Sequence, residues 1–400
     1  MKRMIIVILT MLFLCSCADT ETESLALSEQ TPEQLGIEQT ERYIPLNYDT
    51  QKALWFTMMD WEDILYNKSE EDFTADISAL LDKIKDMGFN TLYLHLRPYG
   101  DAYYQSSIFP KGQYCTGDYD PLDITLSQAH ERSLSVHGWI NPLRCGTDKD
   151  MQAMSGEYTV KKWYNTKRDS LICKAGERWY LNPAYEEVRT LIADGAKEIA
   201  ENYDIDGLNI DDYFYPTTDN SFDSEAFSQS GSSDLSAWRT NNIDLMVKEI
   251  YDAVKSSDEN ILFGISPQGN MDTDVKTLYA DVRKWASCRG YCDYIAPQLY
   301  YGFKNEALPF EPTLGNWISE CTAVKLVAGI CTYKIGKEDK WAGSGIDEWI
   351  NDTHIPSREA QTALTSGVGV AVYSIGSLFD ENTEDEQRAL RDVLCSEEDI

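Results

Sequence analysis

After residue 50 the chain repeats one pattern: a short apolar run, a polar or aromatic loop, then a stretch whose apolar positions recur at steps of three and four. The runs are ALWFTMMD, TLYLHLRPYGD, LSVHGWINPLR, GLNIDD, ILFGISPQG, DYIAPQLYYG, KLVAGICTYK and GVGVAVYSIG. Segments such as ISALLDKIKDMGF and VRTLIADGAKEIAENYD lie between them, spaced as a helix with one buried face requires. Eight alternations of strand and helix predict an α/β fold, a parallel (β/α)8 TIM barrel over residues 51–382, rather than an open doubly wound sheet. Residues 383–400 read as an acidic C-terminal tail or helix.

The runs begin apolar and end polar. Their ends carry Arg97 and Asp101, His137 and Asn141, Asp211 and Asp212, Gln268, Gln298 and Tyr300, and Tyr333 and Lys334. All strand C-termini of a parallel barrel share one face, so this asymmetry predicts one concave polar site there. Longer connections near 145–180 and 216–235, rich in Asp, Ser, Tyr and Trp, are expected to wall it.

The segment DIDGLNIDDYFYP, residues 204–216, sets two aspartates side by side at the end of the fourth run. Along a strand, Asn209 and Asp211 would face one side and Asp212 the other, unless the strand has already turned. Their Cα atoms lie about 3.8 Å apart. Mutual repulsion, with burial among Tyr213, Phe214 and Tyr215, raises the proton affinity of one carboxylate and keeps an acid loaded near neutral pH. The structural alternative has one aspartate capping the following turn and the other paired with Arg97 or another arginine. Trp55, Tyr99, Tyr103, Trp139, Tyr213, Tyr215, Tyr300 and Tyr301 suit stacking on sugar rings, while Asn141, Gln268 and Gln298 suit hydroxyls or amides.

The N-terminus, MKRMIIVILTMLFLCSCADT, places Lys2 and Arg3 before an apolar run too short to span a bilayer, which is the form of an export signal (1–16). Its end resembles a bacterial lipobox, by which Cys17 carries a lipid and anchors the chain to a membrane. Residues 17–50 open with an acidic, nearly aromatic-free stretch and read as a tether. With 67 acidic and 35 basic residues, the formal charge of -32 argues against nucleic acid as a partner. An acidic substrate is still compatible, given a local cluster of Arg and Lys. Eight cysteines outside the export segment leave the disulfide pairing open. No metal-ligand spacing and no Gly-rich phosphate loop occurs, so neither a metal nor a nucleotide cofactor is expected.

The segments GFNTLYLHLRPYGDAYYQSSIFP, YDPLDITLSQAHERSLSVHGWINPLR, YLNPAYEEVR, YDIDGLNIDDYFYP, WRTNNIDLMV, FGISPQGN and DYIAPQLYY together resemble the glycosyl hydrolase-like family ten, over roughly residues 52–380. AHERSLSVHGW departs mildly from the family pattern, which more often has a glycine before the strand and an alanine before the tryptophan. The resemblance implies a barrel lipoprotein of the bacterial envelope, similar to a divisome-type member that cleaves peptidoglycan glycan strands stripped of their peptides. It places Arg97, Asp101, Asn141, Asp211, Asp212, Gln298 and Tyr300 on the strongly patterned strand ends. On this basis Asp212 is expected to be the general acid, with Asp211 orienting a 2-acetamido group that attacks the anomeric carbon. Trp139, Tyr213 and Gln268 join the expected sugar-binding set. Arg97, Arg144 or Lys334 would meet the lactyl carboxylate of N-acetylmuramic acid. The competing mechanism uses Asp211 as nucleophile with a separate acid from Asp60, Asp101 or Asp272, about 5–5.5 Å away for retention or about 6.5–9.5 Å for inversion. The alternative functions are hydrolysis of other amino-sugar, dietary or host glycans, and catalytically silent glycan binding.

Overall fold

The computed structural model describes residues 43–166 and 170–396. The expected export signal, Cys17 and the tether through residue 42 lie outside the described residues.

The eight apolar runs form eight parallel strands: β1 (Lys52–Phe56), β2 (Thr91–Arg97), β3 (Ser135–Ile140), β7 (Gly207–Ile210), β8 (Leu262–Ile265), β9 (Tyr294–Ile295), β10 (Lys325–Cys331) and β11 (Gly369–Tyr373). They close into one barrel in the order β1-β11-β10-β9-β8-β7-β3-β2, with helices between successive strands. Their two-residue period sorts side chains between two cores. Ala53, Trp55, Tyr93, Trp139, Tyr294 and Val327 fill the barrel. Leu54, Phe56, Leu92, Leu94 and Leu96 face the helices.

Polar side chains on the barrel floor pair with one another, as buried polar groups require. Tyr294 crosses it, with its hydroxyl 2.8 Å from His137 Nδ1 and accepting from Asn209 Nδ2 at 3.1 Å. Gly264 makes this crossing possible, because a Cβ there would lie 2.0 Å from the Tyr294 ring.

The connection after β3 holds a second sheet that the hydrophobic pattern did not reveal. Strands β4 (Arg144–Thr147), β5 (Ile172–Ala175) and β6 (Arg178–Leu181) pair antiparallel in the order β4-β6-β5. Each has four residues, too few for a strand period to register.

Residues 46–48, expected in the tether, are hydrogen-bonded to the barrel. Leu46 N donates to Asp206 Oδ1 at 2.6 Å, Asn47 Nδ2 to Asn260 O at 2.8 Å, and Tyr48 OH to Ser133 O at 2.7 Å. These partners precede strands, so the segment lies at the end of the barrel opposite the polar strand ends. At the other terminus, Glu384–Leu394 is a helix that buries Leu390 and Leu394 against the barrel body. Lys52 Nζ reaches the Leu394 carbonyl at 2.8 Å.

Candidate active site

The strand C-termini surround a cavity of about 850 Å³. At its base β7 ends with Ile210, and the next residues turn sharply: Phe214 N donates to Asp212 O at 3.0 Å, and Tyr213 N donates to Asp211 Oδ1 at 3.3 Å. Strand alternation therefore stops before the pair. Asp211 and Asp212 both line the cavity, rather than facing opposite sides as a continued strand would place them.

Different donors hold the two carboxyls. Asp211 is buried, and its Oδ2 accepts from Trp139 Nε1 at 3.0 Å. Asp212 accepts one amide hydrogen bond on each oxygen, from Gln298 Nε2 at 3.1 Å on Oδ1 and Gln268 Nε2 at 3.2 Å on Oδ2. Gln298 Nε2 also donates to Ser266 O at 3.2 Å, which fixes the amide orientation, since a flip would set its oxygen against a carbonyl.

Burial drives both proton affinities upward. For Asp211 the neighbouring Asp212 charge adds to desolvation, and its carboxyl lies well above the usual carboxylate range. For Asp212 desolvation also raises the affinity, while the two glutamine amides oppose it by stabilising the ionised form. Arg144 lowers both. The pair thus meets the electrostatic condition for one stored proton.

Trp139 is itself held in place. Its ring stacks on His95 with 3.4 Å between centroids and meets Trp55 edge-on at 4.8 Å. Burial depresses the His95 pKa to about 3, so the imidazole is neutral, and its Nε2 lies 2.9 Å from Asn141 Oδ1. Asn141, expected to bind substrate, instead orients His95 behind the tryptophan and does not line the cavity. His95 does line it. Its position two residues beyond inward-facing Tyr93 is the signal by which sequence could have found it.

Of the three cations expected near substrate, only Arg144 lines the cavity. It starts β4, and its guanidinium packs over Tyr213 at 4.1 Å and Tyr99 at 4.9 Å. Arg97 is buried over Phe109 at 4.3 Å, on the helix-facing side. The β2–β3 register shifts between His95 and Arg97, and this irregularity reverses the alternation that would have turned Arg97 inward. Lys334 is also committed elsewhere: Nζ donates to Tyr300 O and Asp339 Oδ2, both at 2.7 Å.

Among the separate carboxylates, Asp272 pairs with exposed Lys276 on its own helix, away from the cavity. Asp101 lies behind the wall and accepts from Tyr99 N at 2.8 Å; burial raises its carboxyl to about 6. Asp60 does line the cavity. Its Oδ2 accepts from Thr57 N at 2.6 Å and Thr57 Oγ1 at 2.7 Å, while burial raises its pKa. Tyr373 stands within electrostatic reach of Asp60, Asp211 and Asp212, and burial lifts its phenol to about 12.

Gln268 supports Asp212 from outside the lining, whereas Gln298, Tyr213 and Tyr300 form the wall directly. Trp55, Tyr99 and Trp139 also line the cavity, joined by Tyr333 and Tyr373. Tyr103 and Tyr215 are buried, Tyr103 stacked on Trp61, and Tyr301 does not line the cavity.

An acid pair at the strand ends of an aromatic-walled barrel is a form seen in sugar-cleaving enzymes, and comparison decides the family. The Glycosyl hydrolase-like 10 model matches residues 51–343. The chain belongs to this family and is a glycoside hydrolase. Glycosyl hydrolase DigH of Escherichia coli strain K12 is 28% identical over 409 residues, covering 92% of this chain and 90% of that one. Glycosyl hydrolase YngK of Bacillus subtilis strain 168 is 30% identical over 332 residues, covering 75% of this chain and 64% of the relative. The fold is also similar to the glycoside hydrolase domain of PgaB (BpsB) from Bordetella bronchiseptica, with a TM-score of 0.56, 12% identity, and coverage of 86% and 99% of the two chains. The catalytic domain of β-amylase from Paenibacillus polymyxa gives a TM-score of 0.53 at 13% identity, covering 86% and 97%.

Proposed function

We propose that this member of the family is an envelope-anchored hydrolase of N-acetylated amino-sugar polymers, with peptide-free peptidoglycan glycan strands as substrate. The carrying observation is the uneven setting of the aspartate pair: each carboxyl accepts two hydrogen bonds, but Asp211 is the more deeply buried and bears the neighbouring charge, whereas Asp212 is held by two side-chain amides. This split favours Asp211 as the proton-loaded acid and Asp212 as the carboxylate, the reverse of the roles expected from sequence. Asp212 accepts the acetamido N–H and thereby strengthens its carbonyl oxygen as nucleophile. That oxygen bonds to the anomeric carbon as the glycosidic C–O bond breaks, and the Asp211 proton passes to the leaving oxygen. Water then opens the oxazoline, returning a proton to Asp211 and retaining configuration. Arg144 at the cavity wall supplies the positive charge for a lactyl carboxylate in an otherwise acidic protein.

Digestion of peptide-free murein and chitin-type oligomers side by side tests the substrate. Release from murein is expected; release from chitin alone rejects peptidoglycan, and release from neither rejects the amino-sugar reading. The lipobox-like end of the export signal supports attachment through Cys17, and Cys17→Ser should abolish metabolic labelling with palmitate.

Asp60 supports a second mechanism, because, of the three separate carboxylates expected from sequence, it lines the same cavity. A thiazoline mimic of the oxazoline distinguishes the two: inhibition favours the acetamido route, whereas an active enzyme indifferent to it, but silenced by Asp60→Asn, favours two separated carboxylates.

A further inference from the structure

The loop after β10 displays Trp341 with 90% of its surface exposed. An indole offers a large flat apolar face, and on this well-tied loop that face is free to stack on a partner. The loop is well tied. Trp341 N donates to Asp339 Oδ1 at 3.2 Å, and Ala342 N donates to Asp339 O at 2.9 Å. Asp339 is buried and bonded to Lys334, whose Nζ also holds the carbonyl of Tyr300. Glu306 N donates to Ala342 O at 3.0 Å, and Ser344 N donates to Glu306 Oε2 at 2.9 Å, joining this loop to the one after β9. Tyr300 and Tyr333, at the roots of the two loops, line the catalytic cavity.

We infer that Trp341 is a stacking platform for a sugar ring of the same polymer, at a subsite beyond the catalytic cavity. The inference rests on the amino-sugar reading above and adds to it a preference for long chains. The loop that carries this ring begins beside Tyr333 on the cavity wall and its backbone is held by the Lys334–Asp339 bridge, so little loop ordering is lost when a chain extending from the cavity reaches it. The surrounding sequence, GKEDKWAGSG, offers charged and small residues but no second large apolar side chain. One ring suits the apolar face of a saccharide. A membrane contact would call for several apolar side chains and would oppose a chain of formal charge -32.

The test is glycan affinity as a function of oligomer length, by calorimetry, in an Asp211→Asn background that suppresses turnover and keeps Asp212. The probes are chitin-type oligomers and peptide-free murein fragments of two to ten sugars. The background protein should bind longer oligomers more tightly, and Trp341→Ala should remove roughly threefold to tenfold of that gain. Trp341→Phe should keep part of it. Unaltered length dependence in Trp341→Ala overturns the platform while leaving the hydrolase reading intact. Failure of the background protein to bind either glycan overturns both. Weakened binding of Trp341→Ala to anionic phospholipid vesicles, with glycan affinity unchanged, also overturns the inference. An unshifted melting temperature of the variant establishes that its fold is preserved.

Discussion

Trp139 Nε1 donates to Asp211 Oδ2 at 3.0 Å, so the ring that walls the sugar cavity also sets the acidity of the carboxyl beneath it. The bond favours ionised Asp211 and opposes burial, which raises its proton affinity. Trp139→Phe should therefore raise the Asp211 pKa further. Activity that needs the protonated acid falls as pH rises through that pKa, so the descending limb of the kcat/KM profile should move to higher pH. The maximum rate should fall by about tenfold, the scale of one lost hydrogen bond.

Asp211 also carries a stability cost. Its folded pKa is raised above the unfolded value, so its contribution is fully present below the unfolded pKa and is lost as pH rises through the folded pKa. Asp211→Asn removes the charge that must otherwise be accommodated. The variant should melt at a higher temperature than the parent at pH 8, by roughly 1–2 kcal/mol of stability, with the difference shrinking towards pH 4. Thermal unfolding at the two pH values checks this.

Gln298 bridges Ser266 O and Asp212 Oδ1. Gln298→Leu should raise the Asp212 pKa and remove the bias that leaves Asp212 ionised. The expected result is a fall in kcat by about tenfold to a hundredfold, with an ascending pH limb displaced to higher pH. Steady-state kinetics across pH reads both.

On the proposed reading, Arg144 distinguishes substrates. Arg144→Ala should raise KM by about tenfold for glycans bearing a lactyl carboxylate, the scale of one charge-assisted hydrogen bond, and change it little for neutral chitin-type oligomers. Parallel KM measurements on the two substrates decide it.

The barrel was legible because burial of one strand face and one helix face writes periods of two and about 3.6 into the sequence, and all eight apolar runs became barrel strands. The aspartate pair was legible because it follows the fourth run directly. Side-chain direction beyond the strand ends was not. Arg97 was misplaced because one irregularity in the β2–β3 register reverses alternation, and Asp212 turned inward because the strand stops at Ile210. Lys334 bonds to Asp339 five residues on, a local loop contact with no periodic signature. Asp272 could have been set aside, since Lys276 lies four residues ahead on one helix, the spacing of a surface ion pair. The β4–β6 pairing, which brings Arg144 to the cavity, joins residues over thirty apart in sequence.

The most direct measurement is the rate of glycosidic cleavage on peptide-free peptidoglycan strands by the parent, Asp211→Asn and Asp212→Asn, with products resolved by mass spectrometry. Cleavage by the parent and a loss of about a hundredfold or more in each variant is the expected result. Variants that cleave at the parental rate, while folded, would contradict the role given to the pair.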